Sequence, residues 1–165
     1  MKSSHQNSLL PEPSLTQVPT HCLFRHGSAW LAFPATSIRQ VLACPQMVSV
    51  PRTPATFIGL CHVRSEFIPV LTLDALICER SRSDDDILLI IDDSDGPWAV
   101  LVEEVSALRR LEVSDAPESA SGSVTSAVTG WATLGDVVIQ VLDPIAVREM
   151  AERELAVFWE STHSR

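Results

Sequence analysis

Short apolar runs separated by polar turns recur along the chain, and the clearest pair lies between residues 54 and 73. The runs Phe57–Val63 and Phe67–Leu71 are rich in β-branched and aromatic side chains, and Arg64, Ser65 and Glu66 join them. Such runs on either side of a short polar link are typical of a β-hairpin. We therefore predict a hairpin that carries Arg64 at the rim of a packed sheet. In an isolated hairpin, such an arginine would be an ordinary solvated tip.

The same pattern predicts further strands in both halves of the chain. The expected strands lie at residues 22–24, 29–33, 47–50, 87–91, 98–102, 105–111, 128–133 and 137–142. A charged stretch from residue 79 to residue 86 separates two groups of apolar runs. Many short strands with regular turn signals favour a mainly β fold with two small barrels, because closing each sheet removes its exposed edges.

Two short helical turns are also predicted. Residues 36–42 are expected to form one or two turns of helix, because Ile38, Val41 and Leu42 follow helical spacing on one face. Residues 73–77 are expected to form another short turn. Both lie between predicted strands, so they would connect strands and would not form a separate helical layer.

The C-terminal segment predicts a longer helix. Asp143 is a favourable N-cap and Pro144 suits the first helical position. Glu149 and Arg153 can pair at i, i+4 on the outer side of this helix. Elsewhere, Pro69 lies inside a predicted strand and removes a backbone donor, so that strand should be an edge or carry a bulge there.

Length and charge limit the classes of function. The chain has 165 residues, of which 45% are hydrophobic and 20% charged, which suits one compact domain or two closely joined small ones. Its formal net charge of −9 argues against nucleic-acid binding, because no basic surface is available to replace phosphate counterions. No apolar run approaches the ~20 residues of a membrane-spanning helix, so no membrane insertion is expected.

The N-terminus and the cysteines indicate the compartment. Residues 1–20 lack the apolar core of a signal peptide and are rich in Ser, Gln and Pro, which predicts a disordered leader. The chain has four cysteines, Cys22, Cys44, Cys61 and Cys78. None has C-x-x-C spacing, and without an export signal we expect reduced thiols in a cytoplasmic protein. Asp84–Asp86 is interpreted as a solvated connector, so neither a metal site nor a cofactor is predicted.

Two other classes of function are less favoured. An enzyme could use Cys61 with His62, but adjacent residues on a strand point to opposite faces and cannot pair directly. The chain also lacks a G-x-S-x-G motif and a phosphate-binding glycine loop, so no catalytic residue is predicted. An SH3-like module for proline-rich peptides would need a groove lined with aromatic residues, and the chain has no Tyr.

A set of motifs occurs in a recognisable order. The first half contains Ile38-Arg39-Gln40-Val41, then Pro54, Phe57, Gly59, Val63-Arg64, Pro69-Val70 and Leu73. The second half contains Trp98–Val105, Thr129-Gly130 and Leu134-Gly135-Asp136. In this order and spacing the chain resembles the CheW-like family, the coupling proteins of bacterial chemosensory arrays. The resemblance covers about residues 22–150.

Four positions depart from the family's motifs. His62 stands for the asparagine before the motif arginine, and Ser65 stands for the glycine after it. Thr72 replaces the aspartate of P-V-x-D-L, and Gln40 replaces the glutamate of the V-x-E-V segment. The arginine itself, Arg64, is present. The resemblance is therefore to a divergent member, and an auxiliary scaffold of a non-flagellar chemosensory pathway is an alternative interpretation.

The resemblance implies a fold of two five-stranded SH3-like barrels that share a central groove. Residues 21–160 would form the CheW-like domain, and residues 161–165 would form a tail. The first barrel would take about residues 21–78 together with the C-terminal segment, and the second would take about residues 87–142.

The resemblance also implies a function. Proteins of this family are non-catalytic adaptors. One barrel face contacts the regulatory domain of a CheA-type histidine kinase, and the groove takes the helical tip of a chemoreceptor. Other CheW-like domains are a further expected class of partner. The expected location is the cytoplasm, at membrane-associated receptor arrays.

Five residues match the family's expected binding positions: Arg64, Gly59, Ile38, Val41 and Gln40. Arg64 would contact acidic or carbonyl groups of a partner helix. Two alternatives stay open from the sequence. Ile38 and Val41 would equally suit a plain core, and Arg64 could form an internal salt bridge with Glu66 or Asp74.

Overall fold

A computed structural model describes residues 18–77, 86–115 and 125–163. Twelve strands and two α-helices lie in these ranges. The strands are β1 (Thr20–His26), β2 (Ala29–Pro34), β3 (Ile38–Ala43), β4 (Met47–Val48), β5 (Phe57–Val63), β6 (Glu66–Leu71), β7 (Ile87–Asp93), β8 (Gly96–Val102), β9 (Glu104–Arg110), β10 (Ser114–Asp115), β11 (Val128–Leu134) and β12 (Val137–Leu142). The helices are α1 (Asp74–Ile77) and α2 (Pro144–His163), and short 3-10 turns precede β3 and β11.

The strands form two six-stranded sheets. The first has the order β10-β11-β12-β2-β1-β9, and the second has the order β3-β7-β8-β6-β5-β4. The mainly β fold with a C-terminal helix is confirmed. Each sheet has five longer strands and one two-residue strand, β10 or β4, at an edge. The strand that the sequence did not predict is β10 in the first sheet and β3 in the second, whereas β4 lies within the predicted strand at residues 47–50.

The sheets divide the chain differently from the expected barrels at about residues 21–78 and 87–142. The first sheet joins β1 and β2 to β9–β12, and the second sheet joins β3–β6 to β7 and β8. Parallel pairs, β12 with β2 and β6 with β8, connect distant parts of the chain within each sheet. Each sheet therefore draws strands from both halves, and the expected division between the barrels is corrected.

Three apolar clusters explain why so many strands are apolar at successive positions. One cluster lies within the first sheet and includes Leu23, Ala32 and Ile139. Another lies within the second sheet and includes Ile68 and Leu88. The third, which we call the central cluster, joins the sheets to α2. Its members include Phe24, Leu31, Phe33, Leu89, Ile91, Trp98, Val100, Leu142 and Val147. Since β1, β2, β7 and β8 each contribute to two clusters, both of their faces are buried.

Helix α2 is anchored at its start and along its inner side. Asp143 caps it, because the Ile145 backbone N–H donates to the Asp143 carboxylate over 2.9 Å. Val147 and Ala151 are buried in the central cluster. The predicted Glu149–Arg153 ion pair is not formed, because the Arg153 guanidinium donates to the Glu149 backbone carbonyl over 3.2 Å. The helix also extends to residue 163, into the range expected as a tail.

Residues 36–42 were expected to be helical, and this prediction is wrong for most of the segment. A 3-10 turn covers Ala35–Ser37, and Ile38–Ala43 is a strand that pairs with β7. Exposure alternates along β3, so Ile38 is half-buried while Val41 is 42% exposed. The apolar strand β7 pairs with β3 from Ile38 to Ala43, with one register shift between Ile38 and Gln40, and the β-branched residues of the segment suit that pairing.

Most other local predictions agree with the structure. The hairpins β5–β6, β7–β8 and β11–β12 are confirmed, as is the helical turn near residue 74. The prediction that the strand of Pro69 is an edge or carries a bulge there is wrong, because β6 lies between β8 and β5 and Pro69 pairs regularly with Leu60. The missing donor is tolerated since the pairing of β6 with β8 begins only at Val70. Most of the predicted N-terminal leader and the acidic run up to residue 85 lie outside the described residues. No described helix is both long enough and apolar enough to span a membrane.

Candidate functional site

The tip of the β5–β6 hairpin is a two-residue turn that presents Arg64 to solvent. Val63 pairs with Glu66, so Arg64 and Ser65 alone make the turn. Both residues have positive φ, 55° for Arg64 and 121° for Ser65. Positive φ at both central positions is typical of the tight hairpin turns that favour Asn-Gly. The hairpin therefore holds Arg64 at a defined place, in a conformation that neither residue prefers.

The acids that might have paired with Arg64 are bonded to other groups. Glu66 accepts a hydrogen bond from the Arg39 guanidinium, with 2.5 Å between Nη2 and Oε2. This hydrogen bond raises the pKa of Arg39. Asp74 accepts from the buried His26 ring, with 2.9 Å between Nε2 and Oδ1. Among the described residues, no hydrogen bond or ion pair engages the Arg64 side chain, so the internal salt bridge considered for it is not formed there.

Gly59 has a structural reason to be glycine. A Cβ at this position would overlap the Val48 backbone carbonyl and lie 3.2 Å from the Ser49 Cα. The backbone that carries β4 therefore passes directly over Gly59. Because Gly59 is buried, it shapes the surface above it and does not itself offer a side chain to a partner.

The remaining predicted residues lie on β3, at the opposite edge of the second sheet. Ile38 is half-buried against the central cluster, which matches the core alternative for this residue. Gln40 is half-buried and Val41 is exposed. The ion pair between Arg39 on β3 and Glu66 on β6 draws this edge towards the hairpin tip. Gln40 and Val41 are adjacent on β3, so their side chains point to opposite faces, and the structure does not bring all of the predicted binding residues onto one surface.

An apolar surface beside Arg64 was not predicted from the sequence. Val48, Leu60 and Pro69 are cross-strand neighbours on β4, β5 and β6, and His62 is paired with Phe67 in the next row. We call these five residues the apolar outer face. Phe67 is 71% exposed and Val48 64% exposed. The His62 and Phe67 rings lie 5.0 Å apart. The available signal was that β5 and β6 are apolar at successive positions, which puts apolar side chains on both faces.

A small cavity lies where the two sheets approach each other. It has a volume of about 180 Å³ and is lined by residues that include His26, Ile58, Asp74, Leu101 and Glu103. Its charged groups are engaged within the protein. Glu103 accepts from the Arg25 guanidinium over 2.5 Å and from the Gly27 backbone N–H over 3.1 Å, and Asp74 binds His26. These contacts tie β1 to the link between β8 and β9 and to α1.

The cysteines in this region are not activated. Cys61 is buried and its neighbour His62 is exposed, so the two side chains point to opposite faces as expected. Burial raises the pKa of the Cys61 thiol, and the nearby Cys44 raises it further. A raised pKa lowers the thiolate fraction at neutral pH and so weakens the nucleophile. Among the described residues, no group of three or more His, Cys, Asp or Glu side chains is arranged to hold a metal ion.

Comparisons with known proteins agree with this architecture. A family model described as CheW-like domain matches residues 20–152. A search of curated proteins returned no match. Among solved structures, the chain is similar to the scaffolding protein TtCheW from Thermoanaerobacter tengcongensis, with a TM-score of 0.67 and 18% sequence identity. That match covers 76% of this chain and 88% of the other chain.

Proposed function

The chain belongs to the CheW-like family, and on that premise we propose that it is a non-catalytic adaptor that couples chemoreceptors to a CheA-type histidine kinase. The observation that carries the proposal is the extent of the family match, which runs from β1 into α2 and includes both sheets. An adaptor needs several surfaces held in fixed relation. A molecule with both sheets packed on one central cluster provides them.

The proposed partners are the regulatory domain of the kinase, the cytoplasmic helical tip of a chemoreceptor and, in addition, other CheW-like domains. The proposed location is the cytoplasm, at membrane-associated receptor arrays. The engaged acids around the inter-sheet cavity and the protonated buried thiols supply no reactive group, which supports a role in binding. The auxiliary scaffold of a non-flagellar pathway differs from this proposal only in which kinase and receptor are bound.

The proposed binding residues divide by position. Arg64 and Val41 offer exposed side chains, and Gln40 is half-buried beside Val41. Gly59 supports the surface through the close approach of β4. Ile38 contacts the central cluster and would act by holding β3 in place. Arg64 is the strongest candidate for direct contact, because its guanidinium has no partner among the described residues.

Isothermal titration calorimetry tests the coupling role. The full chain would be titrated with the purified regulatory domain of each CheA-type kinase encoded in the same genome. We expect a dissociation constant in the micromolar range, which corresponds to roughly −8 kcal/mol. Binding to one kinase and not to the others identifies the pathway and separates a motility adaptor from an auxiliary scaffold. If no kinase domain binds, the coupling role is wrong.

A further inference from the structure

Helix α2 continues beyond the part of the chain that matches the family model. The match ends at residue 152, whereas the helix runs to His163. We call residues 153–163 the α2 extension, which adds about three helical turns. Most of its side chains are exposed, but Leu155 and Phe158 are half-buried. These two residues follow the buried Ala151 at helical spacing, so one side of the extension still faces the protein.

The α2 extension contacts the loop between β4 and β5 through two side-chain hydrogen bonds. The Trp159 indole N–H donates to the Arg52 backbone carbonyl over 3.1 Å. The Thr56 hydroxyl donates to the Glu154 carboxylate. The helix follows the last strand of the first sheet, and the loop joins two strands of the second sheet. Both hydrogen bonds therefore tie the end of the chain to the second sheet.

The backbone of Arg52 is held in a conformation that arginine does not prefer. Its φ is 61°, in the left-handed region that is unfavourable for a residue with a Cβ. The Arg52 side chain is exposed, so packing around that side chain does not account for the backbone. Such conformations persist where neighbouring groups impose them. The hydrogen bond from Trp159 to the Arg52 carbonyl is a contact of this kind.

The loop between β4 and β5 lacks regular structure. Residues 49–56 belong to no helix or strand, and Pro51 and Pro54 have no backbone N–H to donate. Within the loop, the Thr53 hydroxyl donates to the Val50 carbonyl over 2.9 Å. The loop also forms one wall of a cavity of about 650 Å³, whose lining includes Val50, Thr53 and Pro54. Contacts that fix the loop therefore also fix the shape of this cavity.

We propose that the α2 extension is a latch, in which Trp159 and Glu154 hold the β4–β5 loop in a strained, closed shape. When the latch opens, Arg52 relaxes to an ordinary negative φ and the wall of the cavity moves with the loop. Both hydrogen bonds lie at the surface, so they can open while the central cluster stays intact. The latch lies beyond the residues that match the family model, and it does not depend on the proposed adaptor function.

Trypsin digestion of the folded protein tests the latch, because the peptide bond after Arg52 is a trypsin site inside the loop. Trp159→Phe keeps an aromatic ring but removes the N–H donor, and Thr56→Val removes the hydroxyl at nearly constant size. Val157→Ser is the matched control, because Val157 is 66% exposed on the same extension. Mass spectrometry would follow the fragment that ends at Arg52, and cleavage after Arg64 in the β5–β6 turn would serve as the internal reference.

We expect Trp159→Phe and Thr56→Val each to raise the rate of cleavage after Arg52 by about threefold or more. Cleavage of a folded protein follows the population of the locally open state, and the loss of one hydrogen bond changes that population by about this factor. Cleavage after Arg64, and both cleavages of Val157→Ser, should match the parent chain. If both variants are cleaved after Arg52 at the parent's rate, the α2 extension does not restrain the loop. If cleavage after Arg52 and Arg64 rises in parallel, the second sheet is loosened as a whole and the latch is wrong.

A second substitution tests whether the strain at Arg52 belongs to the latch. Glycine adopts positive φ without steric cost, so Arg52→Gly should raise the folding equilibrium constant of the parent chain. In Trp159→Phe the loop is already free to relax, so the same substitution should raise the constant less. Urea unfolding of the four proteins measures this difference as an interaction between the two sites. If Arg52→Gly changes the constant by the same factor in both backgrounds, the latch does not impose the strain and the proposal is wrong.

Discussion

Single residues at the β5–β6 turn carry a conformational cost. Ser65 has a φ of 121°, which lies in a region of backbone conformation that is open almost only to glycine. Residues held in such regions cost about 1–3 kcal/mol each. The related motif in the family has glycine at this position. The chain therefore retains a strained turn next to its best candidate for partner contact.

Replacing Ser65 with glycine should stabilise the protein. Relief of the backbone strain outweighs the added flexibility of the unfolded chain, for a net gain of about 1 kcal/mol. Urea unfolding followed by tryptophan fluorescence measures the change. Gly135→Ala is the matched control, because Gly135 has a φ of 61° in another hairpin turn and a Cβ there would contact nothing within 4 Å. That variant should lose about 1 kcal/mol. If the Ser65→Gly variant is less stable than the parent chain, the claim that the backbone at Ser65 is strained is wrong.

The sequence predicts the position of Arg64 at a hairpin tip because the turn is a local feature of the chain. The sequence does not predict that the acidic residues near Arg64 bind other side chains. Glu66 is bonded to Arg39, and Asp74 to His26, through contacts between residues far apart in the sequence that form only in the folded chain. The apolar outer face was missed for a related reason. A continuous apolar run does not show which of its side chains face the core.

Secondary-structure elements show where tertiary pairing overrides local pattern. The spacing of Ile38, Val41 and Leu42 fits a helix as well as an edge strand, and the partner strand β7 decides the outcome. Two other strands were missed or shortened because they consist of two residues each, β4 and β10. Each passes over a glycine of the longer strand beside it. A Cβ at Gly59 would meet the backbone of β4, and a Cβ at Gly130 would meet Ser114 and Val113.

Gly59→Ala should therefore displace β4 from β5. The added methyl group meets backbone that cannot move aside cheaply, so we expect a loss of about 1–3 kcal/mol, as for overpacked sites. Amide hydrogen exchange should accelerate at Met47 and Val48, because their pairing with β5 is lost. Gly96→Ala provides the comparison, since Gly96 has a φ of 116° but open space around a Cβ. It should strain its own turn and leave exchange in β4 unchanged. If exchange in β4 stays slow in Gly59→Ala, the added methyl group does not displace β4 from β5 and this prediction is wrong.

The whole molecule is organised by contacts between its two sheets. The sequence indicates two groups of strands, but strand order depends on the parallel pairs β12–β2 and β6–β8, which no local signal specifies. Only the packing of the two sheets explains why every residue from 87 to 91 is apolar. Leu88 and Ile90 face the core of the second sheet, while Leu89 and Ile91 face the central cluster.

Arg148 joins the two sheets by electrostatic contacts as well. It lies on α2, which follows the last strand of the first sheet, and it binds the β7–β8 hairpin of the second sheet. Its guanidinium donates to Asp93 and to Asp95, each over 2.6 Å. Asp93 also accepts from the Trp98 indole N–H over 2.9 Å. Burial lowers the pKa of Arg148, but the hydrogen bond to Asp95 and the charges of Asp93, Asp95 and Glu152 raise it more.

Arg148→Met should destabilise the whole molecule by about 3 kcal/mol, because it leaves the Asp93 carboxylate, only 7% exposed, without its cation. Adding Asp93→Asn to that variant should recover part of the loss, since an amide keeps an acceptor for Trp98 without a charge. Arg153→Met, on the outer side of α2, should change stability by less than about 0.5 kcal/mol.

Urea unfolding would be followed by tryptophan fluorescence and by circular dichroism. The two transitions should coincide in every variant, because the sheets share the central cluster and unfold together. If Arg148→Met separates the transitions, the ion pairs and not the shared core hold the sheets as one unit.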